Sequence, residues 1–142
     1  MKTSARNQFS GVVGQVTAGA VNDEVTINID GGAQIVATVT HDSAARLGLK
    51  AGAKAVALVK ATSVIVMVDA DASKVSARNF IDGKVSALTK GAVNSDVTIT
   101  SASGLAVSAI ITNSSVDRLG LAVGAPAAAL FKASSVIVGI DG

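Results

Sequence analysis

The sequence predicts an all-β protein built from two tandem copies of one small barrel. An internal repeat sets the number of copies: after a shift of 72 residues, residues 4–69 align with residues 76–141 without a gap, and 34 of the 66 pairs are identical. Composition sets the fold class, because hydrophobic residues make up 49% of the chain and aromatic residues only 2%. The apolar residues are therefore mostly Val, Ile, Ala and Leu, and β-branched residues at alternate positions are typical of strands. We expect two domains, residues 1–70 and 71–142.

Alternation and turn residues place five strands in each copy. Val25 and Ile27 alternate with polar residues, as in a strand with one buried face. The step Asp30-Gly31-Gly32 then predicts a hairpin, because glycine adopts the positive φ of tight turns. The expected strands of the first copy cover residues 8–17, 24–30, 34–40, 54–60 and 63–69, with a tight turn between the last two. The second copy repeats these strands 72 residues later.

One short helical turn is expected in each copy, between the third and fourth strands. In the first copy it covers residues 43–48, where Asp42 or Ser43 can cap its start and Gly48 supplies the left-handed stop. Five short strands with one helical turn are typical of a small barrel of the OB type. The predicted fold is therefore two tandem OB-like five-stranded barrels, joined by a polar connector over residues 70–75.

A unit of about 70 residues has a small core and usually needs additional support. The chain has no cysteine for a disulfide, and its one histidine, His41, cannot form a His/Cys zinc site. Association between units is the remaining source of support. The lack of cysteine fits a reducing compartment, and no apolar run approaches the ~20 residues of a spanning helix. We therefore expect a cytoplasmic protein with no membrane partner.

Two polar clusters are repeated although packing does not require them twice. Ser-Ala-Arg-Asn opens each copy at residues 4–7 and 76–79, and Lys-Ala-Thr/Ser-Ser fills the turn at residues 60–63 and 132–135. Their polar groups are nearly all hydrogen-bond donors, with no carboxylate among them. Such a set suits an oxyanion, since backbone N–H groups in turns form nests for anions and Lys or Arg balances the charge. The alternative is that the charged side chains are only solvated and the asparagine caps a strand.

Three motifs in this order resemble the molbindin, or Mop, family of molybdate-binding proteins. They are the opening at residues 3–8 (TSARNQ), the helix end at residues 46–49 (RLGL) and the segment at residues 60–66 (KATSVIV), and they recur with small changes in the second copy. The resemblance implies an OB-like barrel, assembly with threefold symmetry, tetrahedral oxyanions (molybdate, with tungstate as its analogue) bound between subunits, and no catalysis. We expect a homotrimer that binds and stores molybdate. The oxyanion-binding residues that it implies are Ser4, Arg6, Asn7, Lys60 and Ala61 in the first copy and Ser76, Arg78, Asn79, Lys132 and Ala133 in the second.

The two copies differ in chemistry where the third strand meets the helix. His41-Asp42-Ser43 in the first copy becomes Asn113-Ser114-Ser115 in the second. The family places additional oxyanions on the threefold axis, and short polar residues here are candidates to face that axis. The axial residues that the resemblance implies are His41 and Ser43 in the first copy and Asn113 and Ser115 in the second. The alternative is a surface histidine that caps the turn and binds no ligand.

Storage has three alternatives. A nucleic-acid-binding OB barrel stacks bases on aromatic side chains, but this chain has three Phe, no Trp, no Tyr and a net charge of only +2. An enzyme needs an acid and a base, and the repeated clusters contain no carboxylate pair. A molybdate-sensing regulatory module of a transporter or transcription system is the alternative closest to storage. The sequence shows no P-loop motif and no DNA-reading helix, so we expect a free-standing binding protein with no nucleic-acid partner.

Overall fold

The computed structural model describes residues 1–141 and confirms the all-β fold with few helical turns. The chain forms two compact units, each built around one five-stranded sheet. Unit 1 contains Met1–Val59 and the described chain from Lys132 onward, whereas unit 2 contains Lys60–Phe131. None of the helices in this part of the chain is long and apolar enough to cross a membrane.

Unit 1 is an antiparallel sheet that closes on itself. Its elements are β1 (Asn7–Thr17), β2 (Asn22–Ile29), β3 (Gln34–Thr40), α1 (His41–Leu47), β4 (Lys54–Val59) and β10 (Val136–Gly139). The strand order is β10-β4-β1-β2-β3, and the two outer strands, β10 and β3, also contact each other. Val25, Ile27 and Ile35 are fully buried. The alternation that predicted β2 therefore marks the core face of this sheet.

Unit 2 repeats the same arrangement. Its elements are β5 (Ile65–Met67), β6 (Asn79–Lys90), β7 (Asn94–Thr100), β8 (Ala106–Thr112), α2 (Asn113–Leu119) and β9 (Pro126–Phe131). The order is β5-β9-β6-β7-β8, and Val97, Ile99 and Val107 form the equivalent part of the core. All ten predicted strands are present, each end within two residues of its expected position.

The two repeats exchange their last strands. β10 comes from the second repeat but pairs with β4 of the first, with Val136 opposite Val59. β5 comes from the first repeat but pairs with β9 of the second, with Ile65 opposite Leu130. The expected domains, residues 1–70 and 71–142, follow the repeat, whereas each compact unit is completed by a strand of the other repeat. The predicted tight turns are single 3₁₀ turns, Ala61–Ser63 and Ala133–Ser135, that carry the chain from one unit to the other.

Two glycines allow the first two strands of each barrel to approach closely. A Cβ atom on Gly11 would overlap the backbone oxygen of Asn28, and one on Gly83 would overlap that of Thr100. The pairing of β1 with β2 shifts register between Val13 and Gln15, and the pairing of β6 with β7 shifts at the equivalent place. Such bulges increase strand bending and twist, which lets a five-stranded sheet curve enough to close.

Each helix has a threonine cap, which corrects the expected capping residues. The side chains of Thr40 and Thr112 accept hydrogen bonds from the backbone N–H groups of Ser43 and Ser115. The caps are therefore the last strand residues and not Asp42 or Ser43, and α1 begins two residues earlier than expected. Gly48 ends α1 in the left-handed conformation, with φ 66°, as predicted.

Candidate oxyanion-binding site

A buried asparagine begins the first strand of each repeat. Asn7 is 2% exposed and lies opposite Val59, and its Nδ2 donates to the Val59 carbonyl oxygen over 3.2 Å. Asn79 is 1% exposed and lies opposite Phe131 in unit 2. An amide nitrogen carries two hydrogens, so this bond uses one donor of Asn7. Asn7 thus fixes the start of β1 against the end of β4.

Three chain segments meet at one end of the sheet in unit 1. Val136, Val59 and Asn7 form a row across β10, β4 and β1. Ser4 and Arg6 come immediately before this row, and the 3₁₀ turn Ala133–Ser135 comes immediately before Val136. The polar opening of the first repeat therefore shares a sheet end with the polar turn of the second repeat.

Unit 2 shows the reciprocal grouping. Asn79 lies opposite Phe131, and the next row joins Phe80, Leu130 and Ile65. The turn Ala61–Ser63 precedes Ile65, just as Ser76 and Arg78 precede Asn79. The sequence grouped Lys60 and Ala61 with the first opening cluster, but these two residues belong to unit 2, whereas Lys132 and Ala133 belong to unit 1.

The candidate residues are mostly at the surface. The charged and hydroxyl side chains are exposed, Ala133 is half-buried, and Asn7, Asn79 and Ala61 are buried. Long cationic side chains at a surface can reach an anion while their charge remains hydrated. The exposed members of the set are Ser4, Arg6, Lys60, Ser76, Arg78 and Lys132.

His41 is the first residue of α1 and is paired with a buried carboxylate. Its Nδ1 lies 3.0 and 3.1 Å from the two carboxylate oxygens of Asp23, which is 3% exposed. The hydrogen bond to Asp23, together with the negative charges of Asp23 and Asp42, raises the pKa of His41 above its ordinary 6.5. The same hydrogen bond lowers the pKa of Asp23 below 3.8. Nε2 is the ring nitrogen left for any further partner.

The second repeat has a neutral pair in the same place. Ser95 donates through its Oγ to Oδ1 of Asn113, and Nδ2 of Asn113 donates to the carbonyl oxygen of Gly91 over 2.9 Å. Asp23 and Ser95 were not among the residues predicted for this region. A signal was present, because both members of the Asp23–His41 pair change together between the repeats.

Ser43 and Ser115, which were predicted to face the threefold axis, belong to the helix caps. The hydroxyl of Ser43 accepts from Oγ1 of Thr40 over 2.7 Å, and that of Ser115 accepts from Oγ1 of Thr112 over 2.9 Å. A serine hydroxyl that accepts a bond still has its own hydrogen to donate. The capping network therefore orients these hydroxyls without using their donor capacity.

Comparison with protein families identifies both repeats. The model of the TOBE domain matches residues 3–66 and again residues 75–138. The chain belongs to the TOBE domain family. The two matches coincide with the 72-residue repeat and cover most of the chain.

Proteins with names from molybdenum biology match the TOBE pair over almost its whole length. The molybdenum transport protein ModE of Herbaspirillum seropedicae is 45% identical over 141 residues, which are 99% of this chain and 52% of the relative. The molybdenum-pterin-binding protein MopA of Rhodobacter capsulatus is 42% identical over 138 residues, 97% of this chain and 52% of the relative. The chain thus spans about half the length of the curated relatives that it matches.

A solved structure matches both TOBE repeats together. The cytoplasmic molybdate-binding protein ModG, with molybdate bound, superposes with a TM-score of 0.94 at 45% identity, covering 99% of this chain and 100% of that one. The predicted resemblance to tandem, Mop-type molbindins is confirmed. The names of these relatives describe binding or transport and not an enzyme, in agreement with the prediction of a non-catalytic protein.

Proposed function

We propose that this chain binds molybdate reversibly and serves as a cytoplasmic molybdate store. The observation that carries the proposal is the match to ModG over the full length of both chains. The donor clusters support it, because each unit gathers two of them at one sheet end. Molybdate is a dianion at neutral pH, and a set of donors with cationic side chains complements it.

The units suggest how the proposed ligands are grouped. Because we place each site between subunits, one unit contributes only half of a site. We assign Ser4, Arg6 and Asn7 to one such site half together with Lys132 and Ala133, since all five belong to unit 1. The equivalent set in unit 2 is Ser76, Arg78, Asn79, Lys60 and Ala61. Each site half therefore takes its opening cluster from one repeat and its turn from the other.

The donors also predict which anions are rejected. Phosphate carries a proton for part of the time at neutral pH, and its O–H needs an acceptor. A site lined with donors leaves that O–H unpaired, at a cost of about 1–3 kcal/mol. Sulfate has the charge of molybdate, so only the size of the site can reject it. Tungstate has nearly the size of molybdate and binds like it.

Exposed apolar residues support a homotrimer with sites between subunits. Val21 and Val93 are equivalent in the two repeats and are 73% and 71% exposed, and Ile65 and Ile137 form a second equivalent pair. Apolar residues repeated at the surface favour association, and in a threefold ring each subunit covers one such patch with a different patch of its neighbour. Light scattering should give about three times the chain mass of 13.9 kDa. A mass of one chain at micromolar concentration contradicts the trimer.

We also propose a second class of oxyanion site near the helix starts. The set is His41 and Ser43 in the first repeat and Asn113 and Ser115 in the second. The two serines lie in the capping networks, and their hydroxyls retain a hydrogen to donate. The nearby Asp23 carboxylate opposes an anion in the first repeat, so protonation of His41 is required to offset it.

A regulatory role is the second candidate function. The match to ModE covers 99% of this chain but only 52% of that relative, so the same TOBE pair also occurs within longer proteins. A store should release molybdate simply by dilution. A sensing module should change its structure or its partner on binding. Hydrogen exchange with and without molybdate separates the two, because only the sensor shows changes far from the bound anion.

Calorimetric titration tests the binding proposal directly. Molybdate and tungstate should bind with similar heats and affinities, and sulfate and phosphate should bind far more weakly. Equal binding of sulfate and molybdate contradicts selection by size. If none of the four anions gives a heat of binding, the proposed function is wrong.

A further inference from the structure

Side-chain hydrogen bonds connect the loop between the first two strands to the start of the helix in both units. The side chains are ionisable in unit 1 and neutral in unit 2. In unit 1, Oδ1 of Asp23 accepts from the backbone N–H of Gly19 over 3.1 Å and lies 3.0 Å from Nδ1 of His41. The backbone N–H of His41 donates to the Val21 carbonyl oxygen over 2.9 Å. Loop, strand and helix therefore meet at one carboxylate, which is almost completely buried.

Unit 2 fastens the equivalent loop with uncharged groups. Asn113 takes the place of His41 and donates to the Gly91 carbonyl oxygen, while Ser95 takes the place of Asp23 and donates to Asn113. The backbone N–H of Asn113 donates to the Val93 carbonyl oxygen over 2.8 Å, as in unit 1. The backbone bond at the helix start is thus the same in both units, whereas the glycine amide has a different partner. The Gly19 N–H donates to the Asp23 carboxylate, and the Gly91 N–H donates to the Asn94 carbonyl oxygen over 2.8 Å.

We propose that the Asp23–His41 pair is a proton-controlled brace that holds the loop over residues 18–21 in unit 1, and that unit 2 has a proton-independent form of the same brace. A bond between imidazolium and carboxylate is stronger than one between neutral imidazole and carboxylate. When His41 loses its proton, the pair remains hydrogen-bonded but loses its charge attraction. The loop of unit 1 then opens more often, whereas that of unit 2 does not.

The surrounding charges determine the pH range of this change. Asp23 and Glu24 lie on β2, and Asp42 and Arg46 lie in α1, whereas β3 and the loop carry no ionisable side chain. The pKa of His41 is raised, so the brace is fully charged below 6.5 and weakens as pH rises through the folded value above 6.5. The pKa of Asp23 is lowered, so its contribution is fully present above 3.8 and is lost as pH falls through the lower folded value.

Amide hydrogen exchange of the ligand-free protein tests the brace, because the Gly19 N–H donates directly to Asp23. Protection factors correct for the intrinsic pH dependence of exchange. Between pH 5.5 and 8.5 the protection of Gly19 should fall about three- to tenfold, and that of Gly91 should stay constant. If Gly19 shows no such fall, or Gly91 falls equally, the proposal is overturned.

Exchanging the pairs between the repeats provides matched variants. The double variant Asp23→Ser with His41→Asn gives unit 1 the pair that unit 2 already contains, and it should remove the pH dependence at Gly19. The reciprocal variant, Ser95→Asp with Asn113→His, should create it at Gly91. A pH dependence that stays at Gly19 in the first variant overturns the proposal. If that variant does not fold, the reciprocal variant and the wild-type comparison of Gly19 with Gly91 still decide it.

Discussion

Arg6 and Lys132 are distant in sequence but share unit 1, whereas Lys60, which follows Val59 directly, belongs to unit 2. This grouping makes the role of single residues testable. Loss of one charge-assisted partner from a bound anion costs about ten- to hundredfold in affinity. Substitutions of two residues in the same site should not have additive effects on the binding free energy. Once one partner of the anion is lost, the anion is held less firmly, and its contact with the second partner contributes less.

Double-mutant cycles for molybdate affinity should therefore couple Arg6 with Lys132. Arg6→Ala and Lys132→Ala should each weaken binding, and the double variant should be weaker than either alone but not by the product of the two effects. Arg6→Ala with Lys60→Ala should give nearly independent effects. Lys50→Ala, an exposed lysine outside both clusters, is the control and should leave affinity unchanged. The reverse pattern of coupling supports grouping by repeat and contradicts grouping by unit.

The axial proposal predicts a pH dependence that belongs to one residue. The pKa of His41 is raised, so His41 is protonated at pH 6 and loses its charge as pH rises. Binding at its site should strengthen between pH 8 and pH 6, while the site at Asn113 stays constant. Titration of the wild type and of His41→Asn at both pH values checks this. If the pH dependence survives the substitution, His41 is not an axial ligand.

At the scale of elements, the helix caps give a prediction independent of any ligand. Thr112→Ala removes the side chain that accepts from the backbone N–H of Ser115. The free energy of unfolding should fall by about 1 kcal/mol, the usual contribution of such a cap. Ser114→Ala, at an exposed position two residues after Thr112, should change the free energy of unfolding by less than about 0.5 kcal/mol. Urea unfolding of the two variants measures the difference, and equal effects would exclude Thr112 as the cap.

Most elements could be predicted from sequence because their signals are local. Alternating β-branched residues define β2, and Gly48 ends α1, without information from elsewhere in the chain. The strand exchange could not be predicted in this way. The segments Val64–Val66 and Val136–Val138 have the same sequence, Val-Ile-Val, so either can pair with β4 or with β9. Local pattern specifies a strand but not which of two identical partners it joins.

The candidate site was predictable to a different extent. The opening clusters and polar turns stood out because they repeat, and the structure brings one of each to a sheet end in both units. Which opening cluster shares a unit with which turn depends on the strand exchange, so this grouping could not be predicted from the sequence. Asp23 was also missed, because the predicted strand began at residue 24. In the structure Asp23 is in phase with Val25 and Ile27 on the buried face of β2, where it is 3% exposed beside His41.

At the scale of the whole molecule, the exchange predicts which fragment folds alone. Residues 60–131 form unit 2 as one continuous segment with all five of its strands. Residues 71–142 have the same length and correspond to one repeat, but they lack β5 and contain β10 without its partner β4. The first fragment should fold with every strand paired within one copy of the chain. The second should associate through its unpaired strand and melt at a lower temperature.

Light scattering and thermal unfolding of the two fragments, at equal concentration, provide the measurement. Equal length and overlapping sequence make each fragment the control for the other. A monomeric fragment of residues 71–142 with the same melting temperature as residues 60–131 would mean that the last strand can complete its own repeat. The exchange would then not be required for a stable unit.

Because β10 follows all of unit 2 in the chain, the two units are completed in a fixed order during synthesis on the ribosome. Domains generally fold as they emerge, with the N-terminal one first. Here unit 2 has emerged entirely once Phe131 has left the exit tunnel, whereas unit 1 still awaits Val136–Gly139. The unit whose first residues are translated earliest is therefore the last to close. Until then the unpaired edge of β4 is open to β5, whose segment over residues 64–66 has the same Val-Ile-Val sequence as β10. The exchanged pairing therefore requires that β5 pairs with β9 and not with β4.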